Sequence, residues 1–285
     1  MITATRAPTD ADVEDVVRLK SMHAPEPADA ELVRQEWSAP GFDRDLDARI
    51  EDLAYAQVES LDETRVWLEL HGRPSAALVD WAEERAKERG DRILSGSWAT
   101  NDVILVELRR RGFRPIRHSF RMAISLDEDV AESVWPGRVR VRTFREGDER
   151  TFYDLQHETF ADTWEPIDTP YDEWAHWLLG DSSFDPGLWL IAEDEGEPAG
   201  FAICKRRRGD SELGFVQILG VRRAWRGRGL GRALLLSAFH EFRARGLGRA
   251  ALGVDAENPT GATKLYESVG MRVTHRFEIY EKSAA

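Results

Sequence analysis

Phe215-Val216-Gln217-Ile218-Leu219-Gly220-Val221, followed by Arg226-Gly227-Arg228-Gly229-Leu230-Gly231, is the stretch whose reading decides the fold. The first segment is short, apolar and rich in β-formers, which predicts a buried strand. The second carries glycines so closely spaced that backbone N–H groups can turn inward and approach an anion with no Cβ in the way. A helix is expected from about Leu230 to Arg245, its positive N-terminal end aimed at the same place. Strand, glycine loop and helix make the layout of a pyrophosphate cradle, although glycine-rich turns also join strands to helices with no ligand involved. A P-loop is excluded, because Arg232-Ala233 stands where Lys-Ser/Thr is required. A dinucleotide fingerprint needs an acidic residue about 20 positions on, and Asp255 keeps that rival open. The run before the loop, however, reads as antiparallel and not as the first strand of a βαβ unit.

After a further strand, Arg249 to Asp255, comes Asn258-Pro259-Thr260-Gly261-Ala262-Thr263-Lys264-Leu265-Tyr266-Glu267-Ser268-Val269-Gly270. Asn258 suits an N-cap, Pro259 the first helical position and Gly270 the position just past the helix end. A short capped helix is therefore expected, with Tyr266 in its last turn.

These pieces resemble the GNAT family of acyl-CoA-dependent N-acyltransferases. The family's Arg/Gln-x-x-Gly-x-Gly/Ala signature is met at Arg226, Gly229 and Gly231. Its Asn…Ala…Leu-Tyr…Gly helix is met at Asn258, Ala262, Leu265, Tyr266 and Gly270. The likeness runs from about Val139 to Lys282. It implies an α/β fold with a mixed sheet and acetyl-CoA as co-substrate, with no metal. Backbone groups of Leu219, Gly220 and Val221 would hold the pantetheine arm. Amides from Gly227 through Arg228, Gly229, Leu230 and Gly231 to Arg232 would hold the pyrophosphate, and Tyr266 would face the thioester sulfur.

The first half of the chain repeats the second. Arg6 to Leu19 aligns with Arg142 to Leu155, Asn101 with Asn258, and Gly112-Phe113 with Gly270-Met271. Self-similarity at this period means two copies of one domain. The boundaries expected are 1–127 for a degenerate GNAT-like domain, 128–138 for a linker and 139–285 for the acyl-CoA-binding domain. In the first copy Val66 to Leu70 reads as the matching strand, yet only His71-Gly72-Arg73-Pro74-Ser75 separates it from a helix at Ala76 to Arg89. That loop lacks the Gly-x-Gly pair, Pro74 removes a donor, and Leu108 stands at the position of Tyr266.

Composition narrows the partners. With 52 acidic and 39 basic residues the net charge is −13, which argues against nucleic acid. The arginines gather at Arg222, Arg223, Arg226, Arg228 and Arg232, a local patch suited to a small polyanion. One cysteine, Cys204, excludes an intrachain disulfide. No apolar run is long enough to span a membrane, and the first residues do not read as a signal peptide, so a cytoplasmic protein is expected. The histidines are scattered and show no metal spacing.

Amine attack on a thioester needs a neutral amine, a polarised carbonyl and a proton for the departing thiolate. A phenol near ~10 can protonate a thiolate whose parent thiol is near ~8.5, which suits Tyr266 as general acid. A lysine-like amine is about one part in 10³ neutral at pH 7, a handicap of about 4–5 kcal/mol, whereas an α-amine loses only about 1 kcal/mol. The family often supplies a glutamate from the cradle strand, but Phe215 stands at that position. Asp255, Glu257, His157 and Glu158 remain as candidate bases, with Asp255 favoured because it ends the strand beside the cradle.

Among tandem members the chain is most similar to the mycothiol synthase branch. Lys205 matches a substrate-contacting lysine there, while Phe215 replaces a substrate-binding glutamate and Gly253 a tyrosine, which points to a different acceptor. Acceptor choice is expected in Leu155 to Gly187. There Trp164 and Tyr171, with carboxylates such as Asp162, suit a lid over a cationic small-molecule amine, whereas Trp174 and Trp177 have core spacing. Lys205 to Asp210 reads as a charged hairpin tip. A non-catalytic acyl-CoA-binding or sensing module stays open as the alternative to an enzyme.

Overall fold

The computed structural model describes residues 5–127, 130–164, 166, 168–258 and 260–284. The strands are β1 (Ala48–Glu51), β2 (Ala54–Ser60), β3 (Arg65–Gly72), β4 (Arg92–Trp98), β5 (Arg114–Ser125), β6 (Arg140–Thr143), β7 (Trp189–Asp194), β8 (Glu197–Arg206), β9 (Leu213–Val221), β10 (Arg249–Asp255) and β11 (Arg272–Ser283). The helices are α1 (Val13–Ser21), α2 (Ala30–Trp37), α3 (Arg44–Asp47), α4 (Ala76–Arg89), α5 (Asp102–Arg110), α6 (Glu149–Phe160), α7 (Tyr171–Leu178), α8 (Leu230–Ala244) and α9 (Ala262–Ser268). Among the described residues no helix is long and apolar enough to cross a membrane.

The chain forms two compact units, one of residues up to Ser119 with His275 onward, the other from Phe120 to Thr274. In the first unit the strand order is β1-β2-β3-β4-β11. Pairing is antiparallel except for β3 with β4, which run parallel from Arg65↔Arg92 to Leu68↔Ser95. Buried Leu78, Val79, Ala82 and Ala86 recur at helical spacing on α4 and pack on Val58, Leu68 and Ile93. A separate cluster joins Val13, Val16 and Leu19 of α1 to Val33 of α2 and to Tyr55.

The second unit has the order β5-β10-β9-β8-β7-β6. Here β6 to β9 are antiparallel neighbours, as the run before the glycine loop suggested, and β9 with β10 is parallel. Helix α8 lays Leu230, Leu234 and Ala238 against Val216 and Leu252 on one face of the sheet. An aromatic cluster covers part of the other face, where Phe152, Trp174, Trp189 and Phe201 pack together. Trp174 thus belongs to the core, as its spacing indicated. Tyr171 packs against the core's edge, half-buried: it starts α7 and stacks on Trp174 with ring centroids 5.8 Å apart. The expectation that it forms a lid is corrected, because it is half-buried against these aromatics and does not line the cleft described below.

The compact units follow a different cut from the one the sequence repeat gives. The strand that closes each sequence half is divided: β5 passes from the first unit into the second, and β11 from the second into the first. The end of β11 completes the first unit's sheet, pairing with β4 from Phe277↔Trp98 to Ser283↔Arg92. Lys282 on that strand reaches Glu83 of α4 at 2.5 Å.

Candidate active site

The site lies wholly in the second unit and begins where β9 and β10 part. Their register runs from Leu213↔Arg249 to Val216↔Leu252; beyond it, residues of both strands line a cleft of about 530 Å³. On its other side β9 pairs with β8, and Arg222 N–H donates to the Ala199 carbonyl at 3.0 Å. Bonding alternates along an antiparallel pair, so Leu219 and Val221 turn their backbone groups away from β8, towards the opening. The Val221 carbonyl already accepts from Arg226 Nε at 2.9 Å, which leaves its amide for a ligand.

The register slips at Ile203/Cys204, whose partners jump from Ile218 to Val216. Gln217 is the extra residue, a bulge that exposes its side chain in the cleft. Sequence reasoning passed over Gln217, although a lone amide inside an apolar strand was its signal. It also missed Thr159 and Phe160 at the end of α6 and Thr163 just beyond it, which line the same cleft. No sequence signal marks those, since they lie far up the chain and arrive by folding.

The glycine loop is built as the sequence implied. Gly227 and Gly229 have φ of +74° and +87°, values that L side chains rarely adopt, and nothing lies within 4 Å of a Cβ at either position. Gly229 caps α8 without any side-chain hydrogen bond, so the first amides of the helix face open space. The five clustered arginines divide into two groups. Arg222 pairs with Glu158 and Glu197 at 2.8 and 2.7 Å, and Arg223 with Asp162. Arg226 donates to Val221 and, at 3.2 Å, to the Thr159 carbonyl, tying the loop to α6. Arg228 and Arg232 make no ion pair among the described residues, so two cations remain beside the loop.

Across the cleft, α9 presents Tyr266, which is 7% exposed. Burial pushes its phenol up to about 12, and no hydrogen bond engages its hydroxyl among the described residues. The capping expectation for this helix is corrected. It starts at Ala262 behind Gly261, whose φ is +74°, while Asn258 Oδ1 accepts from Thr260 N–H at 2.9 Å and so closes a turn. Pro259 lies outside the described residues. Gly270, with φ of +94°, ends the helix as expected.

Asp255 and Asn258 line the cleft together with Trp164, Leu219, Gly220, Val221 and the loop residues Arg226, Gly227, Gly229, Leu230, Gly231 and Arg232. Asp255 accepts from Glu257 N–H at 3.1 Å. Arg228 is exposed on the loop and does not line the cleft. Two residues expected at the acceptor lie outside it. Asp162 is exposed and bound to Arg223 at 2.9 Å, and Lys205 Nζ is held by Asp181 Oδ2 at 2.7 Å. The hairpin tip at 205–210 forms as expected, with Arg207 N–H donating to the Leu213 carbonyl at 2.8 Å and Gly209 at φ +76°.

Residues 150–271 match the acetyltransferase (GNAT) family. A mycothiol acetyltransferase of Thermobispora bispora is 32% identical over 228 residues, 72% of this chain and 74% of the relative. A solved GCN5-related N-acetyltransferase from Sphaerobacter thermophilus is 30% identical with a TM-score of 0.80, covering 99% of this chain and 95% of its own. A tandem GNAT protein from the clavulanic acid biosynthesis pathway, 12% identical, shares the fold with a TM-score of 0.75 over 98% and 97% of the two chains. With both signature segments lining one cleft and relatives matched over most of its length, the chain belongs to the acetyltransferase (GNAT) family and is an acyltransferase.

Proposed function

We propose that the second unit transfers an acetyl group directly from acetyl-CoA to the amine of a small molecule. The observation that carries this reading is the single cleft holding a glycine loop, the parted edges of β9 and β10, and a buried tyrosine. The fit to acetyl-CoA is good on this chain's own residues. Open amides from Gly227 to Arg232, with Arg228 and Arg232 beside them, match a pyrophosphate. The inward-turned backbone of Leu219 and Val221 matches the amides of a pantetheine arm, which would lie along β9 as an added strand. Acetyl-CoA supplies the thioester.

The remaining chemistry falls to side chains and backbone. Amides at the parting of β9 polarise the carbonyl. The amine nitrogen forms the new C–N bond as the C–S bond breaks, and Tyr266 gives its proton to the departing sulfur. A buried phenol at about 12 stays protonated throughout the neutral range, so the acid is present at every turnover. Asp255, ending β10 in the same cleft, takes the proton that the amine loses, directly or through water. Trp164 walls the cleft, and the first unit acts as a support that holds no acyl-CoA. Thiol release from acetyl-CoA against a panel of small amines tests the reading. Release with an acceptor, abolished in Tyr266→Phe while acetyl-CoA still binds, is expected; an intact protein with no affinity for acetyl-CoA would sink it.

A further inference from the structure

The face of the sheet opposite α8 carries a cationic surface at the foot of the opening between β9 and β10. Phe215 and Ala251 face each other in register one step before the strands part, and with Leu213 and Ala123 they form a small cluster separate from the α8 core. Two guanidiniums lie over the Phe215 ring: Arg121 of β5 at 4.6 Å and Arg207, just past β8, at 5.6 Å from its centroid. Gly253 lines the cleft, and a Cβ there would sit 3.4 Å from Arg121 Nη1. The absence of a side chain at Gly253 therefore opens the cleft towards this surface.

The charges at this place are unevenly satisfied. Lys205, opposite Phe215 in the β8–β9 register, is neutralised by Asp181 at 2.7 Å, and Arg208 lies 3.2 Å from the same carboxylate. Arg207 has no ion pair among the described residues, and its Nε is buried without a hydrogen-bond partner. Its backbone is pinned by the hairpin bond to Leu213, so the side chain is presented from a fixed base. A buried guanidinium donor left without an acceptor is costly unless a ligand supplies one. Arginine's planar fork matches a carboxylate or phosphate.

We propose that Arg207, with Arg121 at the same Phe215 ring, binds an anionic group, carboxylate or phosphate, carried by the amine acceptor. This rests on the acetyl-transfer reading above and gives its acceptor a class: an amine with an anionic group a few bonds away. The anion takes no part in bond making; it orients the amine towards the opening. It also replaces the expectation of a cationic acceptor held by an acidic lid, since Asp162 is spent on Arg223 and Tyr171 on the core.

The test uses the full chain with acetyl-CoA and matched acceptor pairs: glycine with glycinamide, O-phosphoethanolamine with ethanolamine, and glucosamine 6-phosphate with glucosamine. Because amine pKa differs within each pair, the decisive quantity is how the preference changes in Arg207→Gln. The wild type should favour anionic members of at least one pair. Arg207→Gln should lower that preference about 10- to 100-fold, mainly through the acceptor KM. Acetyl-CoA affinity and turnover of the neutral members should stay unchanged, and Arg207→Lys should restore part of the loss. Equal loss for both members of a pair, or a preference untouched by Arg207→Gln, overturns the assignment and leaves acetyl transfer standing. Acetyl-CoA binding with no transfer to any anionic amine also overturns it. Failure to bind acetyl-CoA at all would instead bring down the underlying reading.

Discussion

Both units contain a parallel strand pair with a helix leading off the first strand, yet they treat that helix's N-terminus in opposite ways. In the second unit, α8 starts behind Gly229 with no cap and open space before it. In the first, Ser75 caps α4 by accepting from Leu78 N–H at 3.2 Å, and Glu51 sits on the same end. Glu51 accepts from the Ser75 amide at 2.6 Å and from its hydroxyl at 2.8 Å. The positive end of α4 is thus filled by a carboxylate of the protein itself, where α8 leaves room for a phosphate. Gly72 adds to the contrast: its φ of +75° resembles that of Gly227, but a Cβ there would run into the Leu53 carbonyl. One glycine makes room for packing; the other has open space before it.

The strand leading to each helix differs in the same sense. In register, Glu69 of β3 takes the place that Gln217 holds on β9. Gln217 is exposed in a cleft, whereas Glu69 meets Lys20 Nζ of α1 at 2.5 Å and His71 Nε2 at 3.4 Å. Glu36 of α2 lies 3.0 Å from the same lysine. Tyr55, Trp37 and Gln57 extend the network, with Trp37 Nε1 donating to Tyr55 Oη and Tyr55 Oη to Gln57 Oε1. An internal ionic network occupies in one unit what is an opening in the other. The first unit thus differs from the second by this filling as well as by its lack of the glycine pair.

The contrast can be broken from either side. Lys20→Met should have the largest effect, leaving Glu69 and Glu36 without their buried cation and costing about 3–5 kcal/mol in a urea titration. Acetyl-CoA affinity should be unchanged; if affinity falls in a folded variant, the idea that the first unit is a support is wrong. Next in size, Tyr266→Phe should lower kcat by about 10²–10³ at unchanged acetyl-CoA affinity, and a smaller loss would move the acid elsewhere.

Gly229→Val should weaken acetyl-CoA binding by about tenfold or more, since a branched side chain resists a positive φ at about 1–3 kcal/mol. Calorimetry that finds affinity intact would remove the loop from the cradle. Its counterpart, Glu51→Gln, turns an amide N–H₂ towards donors on Ser75 and should cost about 1–2 kcal/mol of stability, with binding and turnover untouched.

The smallest effect concerns pH. Burial pushes Glu36 up to about 7 from an ordinary 4.5. Its folded value lies above the unfolded one, so its contribution is complete below about 4.5 and is lost as pH rises through 7. Glu69 behaves oppositely: Lys20 and His71 outweigh burial and hold its carboxyl low, so its contribution is lost only as pH falls below the ordinary range. Tm measured at pH 5 and at pH 8 should therefore differ less in Glu36→Gln than in the wild type. An equal difference in both proteins would place the titration at another group.

The sequence by itself determined the local pieces around the site. Short apolar, β-forming content in Phe215 to Val221 set a strand, the glycine pair set the loop, and the apolar run from Leu230 set α8, because each depends on neighbours a few positions away. Gly270 ended α9 for the same reason, while Asn258, with a side chain that also closes turns, served a turn in place of the expected cap. Tertiary structure alone decided the rest. It chose which carboxylates were spent on arginines, turned Gln217 into a bulge through its pairing with β8, and brought Thr159 and Trp164 against a loop far along the chain. It also divided β5 and β11 between the two units and set Arg207 and Arg121 about Phe215. Those outcomes depend on partners distant in sequence, and no short-range pattern encodes which charge will find which countercharge once the chain has closed.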